Sequence, residues 1–167
     1  MKSLLKDFDP GFTLIELGFV LIVIGLILFM SSGAWTVLIE GRKISATKSS
    51  LKTSNNCLLN YTSLSKRIPS SFFYKKNCIG TDAWGNSLYF FSIAQSQEIN
   101  CNNPLKKIKD LKGSDNEIRP SIVWILVSAG PNKKLDLISL PKLWDLSKGD
   151  DLYVFVTDME LHQEVCN

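Results

Sequence analysis

One carboxylate stands inside an apolar run. Glu16 belongs to Gly11-Phe12-Thr13-Leu14-Ile15-Glu16-Leu17, after which apolar residues continue with few interruptions to Ile39. A charge in such a run costs free energy unless it lies near an edge or meets a partner, so it reads as a functional group by default. Four cysteines, Cys57, Cys78, Cys101 and Cys166, all follow the run. They show no C-x-x-C spacing, which leaves a zinc site unsupported, and their even number suits one or two disulfides in an oxidising compartment. Four cysteines allow three full pairings, and spacing does not choose among them. His162 is the single histidine. It is the one possible base of a histidine-dependent triad, yet no nucleophile motif accompanies it, and a surface residue is the plainer reading.

The elements that must position these groups follow from periodicity. About 20 apolar residues at roughly 1.5 Å rise each cross a hydrocarbon core of about 30 Å, so residues 12–38 read as a membrane span. Ser31-Ser32-Gly33-Ala34 imitates a signal-peptide cleavage site, but the helical pattern continues past it. Beyond Trp35 the chain turns amphipathic, with Val37, Ile44, Leu51 and Leu58 at seven-residue steps and Arg42, Lys43, Lys48 and Lys52 mostly elsewhere. One long helix is expected, its outer half laying that stripe on a sheet. Residues 67–81 read as a loop with Phe72-Phe73-Tyr74 as a packing patch, and 95–120 as a polar connection. Strands are expected in 87–91, in 121–128 and in 152–157. The fold class is therefore α+β, a long N-terminal helix packed on a small antiparallel sheet.

Composition narrows the function. Within 167 residues the net charge is only +3, and the one local concentration of base is Lys106, Lys107, Lys109 and Lys112. A nucleic-acid surface needs a denser basic face with aromatics between the charges, so no nucleic-acid partner is expected. No nucleotide-binding motif is present.

Gly11-Phe12-Thr13-Leu14-Ile15-Glu16-Leu17 resembles the processing motif of type IV prepilins and of the pseudopilins of type II secretion systems. The resemblance implies a leader over 1–11, cut between Gly11 and Phe12 by a prepilin peptidase that methylates the new amino terminus. It implies a filament-core and membrane half of the helix over 12–38, and a pilin-like periplasmic domain over 39–167. Glu16 then corresponds to the family's glutamate, which in a filament meets the positive amino terminus of a neighbour and so removes two unpaired charges from an apolar core. Other pilin or pseudopilin subunits, an inner-membrane assembly platform and membrane lipid are the implied partners. Counting Lys and Arg alone would place the amino end outside, because four follow the span and two precede it; the resemblance places the domain in the periplasm.

Two further stretches bear comparison. Asp82-Ala83-Trp84-Gly85-Asn86 resembles the D-x-W-G-N turn of secretion pseudopilins, and Ser128-Ala129-Gly130-Pro131-Asn132 with Gly149-Asp150-Asp151-Leu152 resembles their S-x-G-P-D-G loop leading to D-D-[IL]. In several such proteins that loop binds calcium, which takes six to eight oxygens. Asp150 and Asp151 are the candidate carboxylate ligands here, with carbonyls from 129–148. The chain departs from the pattern in Asn132 and Lys133, which stand where the family has Asp-Gly, and in Gly33, which stands where many members have proline. The expected role is a structural filament subunit, pseudopilin or minor pilin-like; the alternatives are a minor type IV pilin for adhesion or DNA uptake, and a membrane-anchored periplasmic enzyme.

Overall fold

The computed structural model describes residues 13–103, 105 and 108–166, with backbone alone at 30–34. The expected leader and cleavage site, Gly11 and Phe12 included, lie outside the described residues, as do Lys106 and Lys107. The chain divides into two compact units, Met1–Gly41 and Arg42–Asn167. Helix α1 (Leu14–Ser65) contributes residues to both, and its backbone stays helical through Gly33.

In the first unit the α1 side chains at 14–17 and 19–29 are all exposed, and most are large and apolar. No helix among the described residues is long and apolar enough to cross a membrane. Of the span expected over 12–38, side chains are described at 13–29 and 35–38.

In the second unit α1 packs against a curled, mixed sheet of six strands. These are β1 (Tyr89–Ser92), β2 (Lys109–Lys112), β3 (Ile118–Ser128), β4 (Ile138–Ser139), β5 (Leu143–Asp145) and β6 (Leu152–Thr157). The strand order is β1-β3-β2-β5-β4, with β6 pairing β3. The expectation of an antiparallel sheet needs correction, because β2 and β5 run parallel, Asp110 facing Leu143 and Lys112 facing Asp145. After β3 turns away from β2, the chain returns through the β4–β5 hairpin on the far side of β2 and meets it in the same direction.

The central strand β3 is buried on both faces, which accounts for its unbroken apolar run. Trp124 and Leu126 join Leu51, Leu58, Leu88, Val156 and Leu161 in the core under α1. Ile125 and Val127 join Leu111, Trp144 and Leu146 in a second cluster on the opposite face.

The helix face that meets the sheet is only half the expected stripe. Leu51 and Leu58 are 2% and 0% exposed, whereas Ile44 and Val37 are 39% and 73% exposed. The remaining buried positions on that face are polar: Thr47, Ser54, Asn55 and Thr62. Each of three has a partner that offsets desolvation. Thr47 Oγ1 accepts from the Ala83 amide at 3.0 Å, Asn55 Oδ1 from the Trp124 indole at 3.0 Å, and the Thr62 hydroxyl donates to the Leu58 carbonyl at 2.7 Å.

Residues 67–81, expected as a loop, contain a short helix α2 (Ser71–Phe73) that continues as a π-helical turn, Tyr74–Cys78. Ser70 caps it, accepting from the Phe73 amide. Its aromatic patch splits in role. Tyr74 is buried and its hydroxyl donates to the Leu88 carbonyl, Phe73 stacks on Tyr61, and Phe72 is exposed. Two disulfides resolve the pairing, Cys57–Cys78 joining α1 to the π-helical turn and Cys101–Cys166 joining a loop to the end of helix α3 (Asp158–Cys166).

Candidate metal centre and helix cap

The D-x-W-G-N stretch folds around its first residue. Asp82 Oδ1 accepts from the backbone amides of Trp84 at 3.0 Å and Asn86 at 2.7 Å. Its Oδ2 accepts from the Asn86 side-chain amide at 3.1 Å and the Ser128 hydroxyl at 2.8 Å. Gly85 supplies the positive φ of +84° that lets the turn close, with its amide bonded to the Asp82 carbonyl. Burial pushes the Asp82 carboxyl up, but the donors from Asn86, Ser128 and Trp84 outweigh it and hold the group below its ordinary range.

This carboxylate joins two stretches that are far apart in sequence. Ser128 also accepts from the Gly130 amide, and the Asn86 side chain reaches the Gly130 carbonyl at 3.4 Å. Gly130 has φ +61°, and a Cβ there would stand 3.3 Å from the Asp150 carbonyl oxygen. Glycine therefore allows the 128–132 loop to lie against the 149–151 turn.

On that turn the two expected ligands meet a third carboxylate. Oxygens of Asp136, Asp150 and Asp151 all lie within 4.8 Å of one another. Asp151 is 6% exposed; its Oδ2 accepts from the Asp136 amide at 2.9 Å, while Oδ1 is buried with no hydrogen-bond partner. Burial pushes the Asp151 carboxyl up, and the Asp136 and Asp150 charges push it further against the Asp136 amide bond. A buried, partnerless carboxylate oxygen between two other acids fits a hard divalent cation. Asp136, Asp150 and Asp151 would hold it, with carbonyls and water completing the shell.

Asn132 of the same loop reaches the cluster through its side chain. The Asn132 side-chain amide donates to Asp150 Oδ1 at 2.6 Å while its own oxygen accepts from the Lys134 amide. Asn132 thus orients Asp150 rather than adding charge. Asp136 was not among the expected ligands. It lies 15 residues before Asp151, and no local motif links the two.

At the start of α1, Glu16 and Thr13 cap the helix reciprocally. The Thr13 amide and hydroxyl both donate to Glu16 Oε2, at 3.0 and 2.9 Å, and the Glu16 amide donates to Thr13 Oγ1 at 3.3 Å. This is a capping box, and the spacing T-x-x-E ahead of an apolar run is the signal that identifies one. Among the described residues Oε1 takes no hydrogen bond, so one acceptor remains for a donor from elsewhere.

His162 lies partly buried on α3. Its Nδ1 is 3.0 Å from the Asp158 carbonyl and 3.1 Å from Asp158 Oδ1. The Asp158 carbonyl raises its pKa most, followed by the Asp158 charge and the carbonyls of Asn100 and Asn103, against a lowering by burial. Nδ1 therefore ties the ring back onto the first turn of α3. Comparison with protein-family models, with curated proteins and with solved structures returns no match.

Proposed function

We propose that this chain is a structural filament subunit of the pseudopilin or minor pilin-like kind. In this reading it is held in the bacterial inner membrane by the first half of α1, with the second unit in the periplasm. A prepilin peptidase processes it, and a separate assembly platform draws it into a filament with other subunits. The observation that supports the reading most is Glu16 on the first turn of a helix whose described apolar side chains are exposed over 14–29. Such a surface needs lipid or neighbouring helices to cover it, and a carboxylate within it needs a cationic partner. A neighbour's free amino terminus supplies one, and Glu16 Oε1 is the atom left to receive it.

The test is the intact mass of protein extracted from membranes of the native host. A chain beginning at Phe12 with one added methyl group is expected. A chain retaining Met1, or one cut after Ala34, would overturn the reading.

Calcium is proposed as the ion of the Asp136, Asp150 and Asp151 cluster. Bound there, its two charges offset two of the three carboxylates, and it cross-links the 128–136 loop to the start of β6. Its role would be to fix a loop rather than to drive a reaction.

A further inference from the structure

Residues 80–88 form a small hairpin braced by its own backbone. The Leu88 amide donates to the Gly80 carbonyl at 3.0 Å, the Asp82 amide donates to the Asn86 carbonyl at 2.9 Å, and Thr81 bridges to Ser87. One side of this hairpin is fastened to α1. The Ala83 amide donates to Thr47 Oγ1, and the Ser50 hydroxyl donates to the Thr81 carbonyl at 2.7 Å. Thr47 is wholly buried, so losing it as an acceptor leaves a donor without a partner.

The other side is fastened to the loop that approaches the acids. Asp82 Oδ2 accepts from the Ser128 hydroxyl, Ser128 accepts from the Gly130 amide, and the Asn86 side chain reaches the Gly130 carbonyl. Gly130 lies against Asp150. Asp82 is not one of the three clustered acids, and each of its oxygens already takes two donors. Filled in this way, the carboxylate is a support for the ligand loop and not a further ligand.

A hard cation binds oxygens held at about 2.3–2.6 Å, so its affinity depends on the groups that orient the ligands as well as on the ligands themselves. We propose, resting on the reading of Asp136, Asp150 and Asp151 as a calcium site, that Asp82 is a positioning residue of that site and that the 80–88 hairpin couples its occupancy to the hold on α1 at Thr47. Coupling of this kind is reciprocal. A bound ion tightens the bond between Ala83 and Thr47, and a loss of that bond weakens the ion.

The test is calorimetric titration of the full-length protein in detergent micelles with calcium, together with exchange of the Ala83 amide. The parent protein should bind, Asp150→Asn should not, and calcium should slow Ala83 exchange several-fold. Asp82→Asn should weaken calcium binding about tenfold or more and remove the calcium effect on Ala83. Thr47→Val should weaken binding several-fold, and Thr47→Ser should restore it. Ser128→Ala, which keeps the carboxylate and removes only its link to the loop, carries the test if Asp82→Asn fails to fold. Asn55→Leu destabilises the same helix without touching the hairpin and should keep the parent affinity. Parent affinity in Asp82→Asn, Ser128→Ala or Thr47→Val overturns the positioning role while leaving the calcium site intact. Equal weakening in Asn55→Leu overturns it as well, since general loosening would then account for the loss. Absence of binding by the parent, or binding that survives Asp150→Asn, overturns the calcium reading and the coupling with it.

Discussion

The indole nitrogen of Trp124 donates to Oδ1 of Asn55 at 3.0 Å, joining the central strand to α1 through two buried residues. Replacing Asn55 by Leu would leave the indole N–H buried without an acceptor. The cost of such an orphaned donor is about 1–3 kcal/mol. Denaturant unfolding of Asn55→Leu, followed by tryptophan fluorescence, should show a loss of that size. A midpoint equal to the parent protein would show that the bond contributes nothing net.

Two aspartates of the loop cluster give stability opposite slopes with pH. Asp82 is held below its ordinary value in the folded state, so its contribution is complete above about pH 3.9 and is lost as pH falls through the depressed folded value. Asp151 is raised, so without a cation its contribution declines as pH rises from about 3.9 through the raised value. In chelator at pH 7, Asp82→Asn should lower stability by about 2 kcal/mol, whereas Asp151→Asn should leave it unchanged or increase it. Equal losses from the two variants would contradict the assignment.

Calcium should raise the melting temperature of the parent protein, and chelator should reverse the rise. At 100 times the dissociation constant the gain is about 2.7 kcal/mol. Asp136→Asn should abolish the response as fully as Asp150→Asn does. A shift that survives Asp136→Asn would place the ion elsewhere.

The disulfides close loops of unequal length, with separations of 21 residues for Cys57–Cys78 and 65 for Cys101–Cys166. Chain-entropy reasoning assigns about 3 and about 4 kcal/mol to them respectively. Paired serine substitutions at Cys101 and Cys166 should therefore cost more than those at Cys57 and Cys78, as read by calorimetry of each variant. The reverse order would mean that native-state effects dominate the loop length.

At the helix start, Thr13→Val removes the hydroxyl that both donates to and accepts from Glu16. Loss of such a cap costs about 1 kcal/mol, which should appear as faster amide exchange in the first turn. Glu16→Ala should leave membrane insertion intact while impairing incorporation into filaments. Normal incorporation would remove the pairing role proposed for the carboxylate.

Legibility in the sequence followed how far each residue's partners lie along the chain. The β6 boundaries were readable because apolar and aromatic residues run unbroken from Leu152 to Val156 between Asp151 and Thr157. The β2 strand was not, since Lys109 and Lys112 give it the look of a polar connection although Leu111 is wholly buried. Apolar periodicity found Leu51 and Leu58 but passed over Thr47 and Asn55. Their burial depends on Ala83 and Trp124, which no local pattern connects to them. The candidate ion cluster shows the same limit. Asp150 and Asp151 stood out as neighbours, whereas Asp136 joins them only because the 128–136 loop folds back onto β6.

The Cys101–Cys166 bond encloses β2, β3, β4, β5, β6 and α3 in one covalent ring. A single peptide cut within the ring, for example at the turn between β2 and β3, would leave both products on one molecule. Under non-reducing conditions the nicked chain would migrate as an intact body, and fragments would separate after a reductant opened the ring. One cut in any single loop of the ring therefore sheds none of the strands that carry the acidic cluster.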